Sequence, residues 1–216
     1  MSNPYNAAMG HLGALGQVIP GLQTTGKPGE IYIPGVGVRK FADIRQDWIY
    51  DRVAHGAAIA AGDIYTYFRD TQNKNEQDTS MSQQSRLPEG TEAVVFRVNI
   101  MPQADEAYDD HRLIIGGATG KFILDENNVV MQGPCACFGS AYGLYGAEQT
   151  TQNLTSVGVI NNGVPSPGAQ PRMVIPQYIS MNRTFRFEIV YRTLVTLSAA
   201  TFVYVILDVL ITRPLR

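Results

Sequence analysis

The chain has 216 residues, of which 17% are charged, and a formal charge of −2. That length suits one domain whose core needs no staple, and so small and balanced a charge excludes a general attraction to nucleic acid or acidic lipid. Its two cysteines, Cys135 and Cys137, are too close for an unstrained bridge and lack the further ligands of a zinc site. They read as two small side chains on one face of a buried strand, in keeping with a reducing compartment.

Residues 1–29 read as an N-terminal arm. Six of the 21 glycines fall there beside Pro4, Pro20 and Pro28, and the apolar residues Leu12, Leu15 and Ile19 show only a brief helical spacing. Such a segment cannot build its own core. Because exposed apolar surface costs about 25 cal/mol per Å², the arm is expected to dock, with a neighbouring subunit as the first candidate. No basic region precedes an apolar run, so export through a signal peptide is not expected.

The body, residues 30–216, reads as all-β. Strands are predicted at about 30–33, 36–41, 47–55, 63–69, 92–100, 111–115, 121–124, 128–132, 172–180, 184–192 and 202–212, with no helix longer than two turns. Ala54 to Ala61 is bracketed by Gly56 and Gly62 and reads as strand, turn, strand. The polar run Thr71 to Arg86 reads as a surface loop. Gly133 to Pro171 is too long for a hairpin turn, and its only large apolar cluster, Tyr142, Leu144 and Tyr145, marks it for packing against protein.

The two closing strands are the most explicit. Phe185, Phe187, Ile189 and Tyr191 alternate with Arg186, Glu188 and Arg192, the period-two pattern of a half-buried strand. From Phe202 to Ile211 both faces are apolar, which places that strand deep in a sheet. Its uninterrupted apolar part is short of the ~20 residues a spanning helix needs, and Val203, Val205 and Ile206 favour strand.

Charge is unevenly placed. Residues 172–216 carry six arginines against Glu188 and Asp208, whereas 43–171 hold 8 basic and 16 acidic residues. A basic end and an acidic middle could pair between copies. Arg186 and Arg192 share one strand face with Glu188 between them, so they read as an interface or solvated face and not as a nucleic-acid site.

Few groupings suggest chemistry. The run Asp105-Glu106-Ala107-Tyr108-Asp109-Asp110-His111 is the best local source of hard oxygen ligands, with Asp105, Asp109 and Asp110 as candidate cation ligands. It does not match the twelve-residue calcium loop, and between two strands it reads as a solvated turn. Asp125 to Asn128 reads as a hairpin turn. His11, His55 and His111 form no ligand pair, Gly35-Val36-Gly37 is an isolated turn, and no G-x-S-x-G elbow, phosphate loop or dinucleotide fingerprint occurs. No catalytic residue, resident metal or cofactor is expected.

Three stretches carry a family resemblance: Asp47-Trp-Ile-Tyr-Asp-Arg-Val-Ala-His-Gly56 running into Ile64-Tyr-Thr-Tyr-Phe68, Leu87-Pro-Glu-Gly90 before the strand Ala93 to Ile100, and Arg183 to Pro214. Over about half its length the chain resembles the single jelly-roll major capsid proteins of tailless icosahedral bacteriophages, particularly those with an internal membrane. The resemblance implies an eight-stranded jelly-roll β-sandwich that assembles in the host cytoplasm into a virion shell. It also implies partners among copies of itself and other virion proteins, with an internal membrane reachable by the arm, and no specific nucleic acid. Leu12, Leu15, Ile19, Tyr142, Tyr145, Arg186 and Arg192 are then the candidate interface residues. A carbohydrate-binding jelly-roll module is the alternative, with Tyr65, Tyr67, Tyr142 and Tyr145 as candidate aromatics and Trp48, the single tryptophan, assigned to the core.

Overall fold

The computed structural model describes residues 23–27, 29–33, 36–103, 106–139, 147–149, 157–159, 173 and 175–212. Leu12, Leu15, Ile19, Asp105, Tyr142 and Tyr145 lie outside the described residues. In chain order the strands are β1 (Gln23–Thr24), β2 (Glu30–Ile33), β3 (Gly37–Lys40), β4 (Ile44–His55), β5 (Ala58–Ile59), β6 (Ile64–Tyr67), β7 (Glu92–Pro102), β8 (Glu106–Ala107), β9 (Ala118–Leu124), β10 (Asn128–Pro134), β11 (Ala147–Gln149), β12 (Val157–Val159), β13 (Gln177–Ile179), β14 (Phe185–Tyr191), β15 (Val195–Thr196) and β16 (Thr201–Thr212). One α-helix is described, α1 (Tyr108–Gly117).

Eight of these strands build two four-stranded antiparallel sheets, β13-β7-β16-β4 and β10-β9-β14-β6. The pairing is nested: β4 with β16, β6 with β14, β7 with β13 and β9 with β10. The first of the eight thus pairs with the last, the second with the seventh, and so inward to the hairpin at Asp125. Pairs β16 to β7 and β14 to β9 then close each sheet.

Most side chains between the sheets are apolar, as alternation dictates. Phe185, Phe187, Ile189 and Tyr191 of β14 point inward and are buried. They join Val203, Val205, Leu207 and Val209 of β16 in one core. Each such side chain stabilises the fold by about 1.5–3 kcal/mol. Gly120 of β9 is required there, because a Cβ would lie 2.6 Å from the Phe187 ring and 2.9 Å from Phe138. β16 is flanked along its length by β4 and β7, which explains its apolar sequence on both faces. On its outer face Leu210 joins Val94 and Phe96 beneath Ile31 and Ile33 of the small β1-β2-β3 sheet.

Three readings are corrected. Residues 111–115 are not a strand but part of α1: Leu113, Ile114 and Ile115 resemble a β run, but only Ile114 is fully buried. The strand expected over 172–180 is short, Gln177–Ile179. Cys135 and Cys137 lie in a 3₁₀ turn, one buried and one exposed, so they share no strand face. Burial pushes the Cys135 thiol up to about 12, leaving it inert near neutrality. Among the described residues no helix is long and apolar enough to cross a membrane.

The polar loop at 71–86 is irregular as expected, but part of it lies against β4. The Arg52 N–H donates to the Asp78 carbonyl at 2.9 Å, and the Ser80 N–H donates to the Tyr50 carbonyl at 3.0 Å. Asp51, fully buried, anchors the loop's entry by accepting from Lys74 Nζ and from the Phe68 N–H, each at 2.7 Å.

Candidate functional site

Of the acidic run, Glu106 and Ala107 form β8 and Tyr108 to His111 open α1. Asp109 is exposed and pairs with Arg112 one turn on, at 3.3 Å. Asp110 is buried, and its carboxylate accepts the Ser198 backbone N–H at 2.9 Å together with the Ser198 hydroxyl. That carboxylate therefore ties α1 to the 197–198 loop and is not a solvated turn residue. Among the described residues no three His, Cys, Asp or Glu side chains gather to hold a metal ion.

Sequence reasoning dismissed His55, and the structure makes it a hub. The ring is fully buried at the end of β4, with Nδ1 2.9 Å from Tyr191 Oη and Nε2 2.8 Å from Tyr67 Oη. It stacks on Tyr65 with centroids 3.8 Å apart. Kept neutral by that burial, the imidazole donates from one ring nitrogen to one tyrosine hydroxyl and accepts at the other nitrogen from the second. Burial holds its pKa down, to about 3, and raises those of Tyr67 and Tyr191. With both nitrogens occupied by tyrosines of the opposite sheet, the group fastens the sheets together and has no free nitrogen to serve as a base. Tyr67 is buried and Tyr65 is stacked beneath the ring, so neither is the exposed sugar platform considered for them. The one usable signal was parity: His55 follows Ile49, Asp51 and Val53 on the inward face.

Of the arginines expected at an interface, Arg186 bonds within its own chain. Its Nε donates to Glu188 at 2.8 Å and its Nη1 to the Glu126 carbonyl at 2.8 Å, pinning the β9–β10 hairpin. Arg192 is exposed just beyond β14. The neighbouring Arg183 pairs with Asp125 at 2.9 Å.

The surface that stands out is the outer side of β7-β16-β4 and its β4 edge. Register sets Arg52, Tyr204 and Met101 in one row, Tyr50, Ile206 and Asn99 in the next, and Trp48, Asp208 and Arg97 in a third. The Arg52 guanidinium lies 4.2 Å from the centre of the Phe202 ring, over its face. Arg97 and Asp208, both buried, approach to 3.6 Å. Trp48 is not a core residue: even-numbered β4 side chains face outward, and the indole is 49% exposed. A cleft of about 640 Å³ runs along this edge, lined by Asp43, Arg45, Asp47 and Trp48 on the strand side and by Met81 and Pro88 opposite.

No protein-family model, curated protein or solved structure matches this chain.

Proposed function

We propose that this protein is a shell subunit: a single jelly-roll capsid protein whose copies assemble, in the host cytoplasm, into an icosahedral bacteriophage virion. The observation that carries the reading is the nested pairing of eight strands, first with last and inward to one hairpin, across two facing sheets. Such nesting supports the reading of a long hairpin rolled up, the jelly roll that viral capsid proteins share with lectins and cupins. Fold alone does not choose among these. Favouring the shell, the segments that resemble the capsid family fall on β4, β6, β7, β14 and β16, five of the eight nested strands. The outer face beside them carries Trp48, Phe202 and Tyr204, large side chains suited to contact with another protein. Copies of the chain and other virion proteins are its partners, and its work is adhesion rather than catalysis.

A specific observation supports a second reading, carbohydrate binding. Half-exposed Trp48 beside Asp43, Arg45 and Asp47 offers an aromatic surface with polar groups along the 640 Å³ cleft. Size-exclusion chromatography with light scattering, run alongside a glycan-binding screen, separates the two. Large concentration-dependent species without glycan affinity support the shell; a small species that binds glycans through Trp48 supports the other.

A further inference from the structure

The chain leaves β6 at Phe68 and rejoins the core at Leu87, and the segment between closes on itself. The Ser85 N–H donates to the Phe68 carbonyl at 2.7 Å, which makes residues 69–84 an Ω-loop with its ends pinned together. That base is firmly held. The Phe68 ring is fully buried, with its centroid 5.4 Å from that of Phe185, and the Ser85 carbonyl accepts the Phe185 N–H at 2.9 Å. Both base residues hold a positive φ, 67° at Phe68 and 55° at Ser85, a conformation that residues other than glycine seldom adopt. Strain of this kind gathers where a segment clamps or switches.

Beyond its base the loop lies along β4 and is fastened there by polar contacts. Thr79 sits opposite Asp51 in an antiparallel bridge, with the Arg52 N–H donating to the Asp78 carbonyl at 2.9 Å and the Ser80 N–H to the Tyr50 carbonyl at 3.0 Å. Arg52 also pairs with the Asp78 carboxylate, and the Tyr50 hydroxyl donates to the Glu76 carbonyl. Of residues 71–86 only Asp78, Thr79 and Met81 are buried, and of these Met81 alone is apolar. Contacts so poor in apolar area open at less cost than a core does. The strongest tie is ionic. Fully buried Asp51 holds base and loop at once, accepting from the Phe68 N–H and from Lys74 Nζ, each at 2.7 Å.

We propose that residues 69–84 form a strap that opens and closes as one unit over Tyr50 and Arg52 while the sandwich stays folded, latched shut by Lys74 on Asp51. Closed, the strap satisfies edge groups of β4 that would otherwise recruit another strand. Opened, it lets water reach Asp51, so the carboxylate no longer needs the lysine. The device stands whether or not copies build a shell.

Hydrogen exchange of the full chain, followed amide by amide under conditions where each rate reports an opening equilibrium, tests the strap. In the natural chain the Arg52 and Ser80 amides should share one level of protection. That level should lie at least about tenfold below the protection of Val205 and Leu207 on the central strand β16, whose amides exchange only when the fold opens. It should also respond little to urea, since strap opening exposes little surface. Lys74→Met strands the Asp51 carboxylate and should speed the strap amides about tenfold or more. Because the pair is broken in the opened strap as in the unfolded chain, the strap amides should gain the same factor as Val205 and Leu207. Adding Asp51→Asn removes the stranded charge and should return both sets most of the way. Strap amides as protected as Val205, or unequal protection at Arg52 and Ser80, would overturn the inference in the natural chain alone, even should Lys74→Met fail to fold. So would a Lys74→Met variant that speeds the core amides and not the strap, or a double variant that recovers nothing.

Discussion

His55 on β4 and Tyr191 on β14 meet 2.9 Å apart, Nδ1 to Oη, and so join the two sheets across a largely apolar core. Tyr67 holds the other ring nitrogen at 2.8 Å. A polar group this deep is tolerated only because every partner is present, and removing one leaves the others stranded.

Replacing the hub tests that dependence. His55→Phe keeps the ring volume but leaves the Tyr67 and Tyr191 hydroxyls buried without their partner, each costing about 1–3 kcal/mol. Urea unfolding should show a loss of a few kcal/mol, and the triple change with Tyr67→Phe and Tyr191→Phe should recover much of it. An unchanged midpoint for His55→Phe would remove the hub from the fold's energetics.

The same residue sets an acid limit. An unfolded imidazole takes a proton near pH 6.5, whereas the folded one refuses it until about pH 3. The unfolded state therefore binds more protons throughout that window, so this contribution is complete above about pH 6.5 and is lost as pH falls, by roughly 1.4 kcal/mol per unit. Asp51 works in the opposite sense, since burial raises its carboxyl pKa and favours the folded state on protonation. Comparing unfolding of the natural chain and of His55→Gln between pH 7 and pH 4 isolates the histidine: the slope should be shallower in the variant, and parallel slopes would contradict the assignment.

Gly120 should resist even the smallest side chain. With Phe187 at 2.6 Å and Phe138 at 2.9 Å from a built Cβ, Gly120→Ala must displace one of two rings that pack edge to face, with centroids 5.4 Å apart. A loss of about 1–3 kcal/mol is expected for such overpacking, read as a lower melting temperature. A gain in stability, as Ala normally gives over Gly in an unstrained strand, would mean the rings have room.

Val205→Asp probes the closing strand. Val205 is fully buried on the central strand β16, between β4 and β7, and an unpaired carboxylate there costs several kcal/mol. The variant should fail to give a cooperative melt near neutral pH, and normal melting would contradict the central placement of β16.

Much of the fold was legible because local pattern and burial agree. The alternation at Phe185 to Tyr191 and the doubly apolar run at Phe202 to Ile211 predicted β14 and β16 almost to the residue, and the glycines at 56 and 62 marked the turns around β5. Helix α1 was misread because Leu113, Ile114 and Ile115 form a β-prone triplet, and its helical state is set by tertiary packing and by the Asp110 contact with Ser198. The site was hardly legible. Tyr67 and Tyr191 lie 12 and 136 residues from His55, so nothing local announces the hub. Trp48 looked like core because an edge position depends on which strand pairs where. The cover over Tyr50 and Arg52 likewise depends on the Asp78 to Ser80 segment folding back on β4, a contact no period in the sequence encodes.

Electron microscopy of the purified protein, from dilute to concentrated solution, tests self-assembly most directly. Closed shells or large regular oligomers that grow with concentration are the predicted result; a dispersed monomer persisting at the highest concentration, in the buffers tried and with the chain folded by circular dichroism, would contradict it.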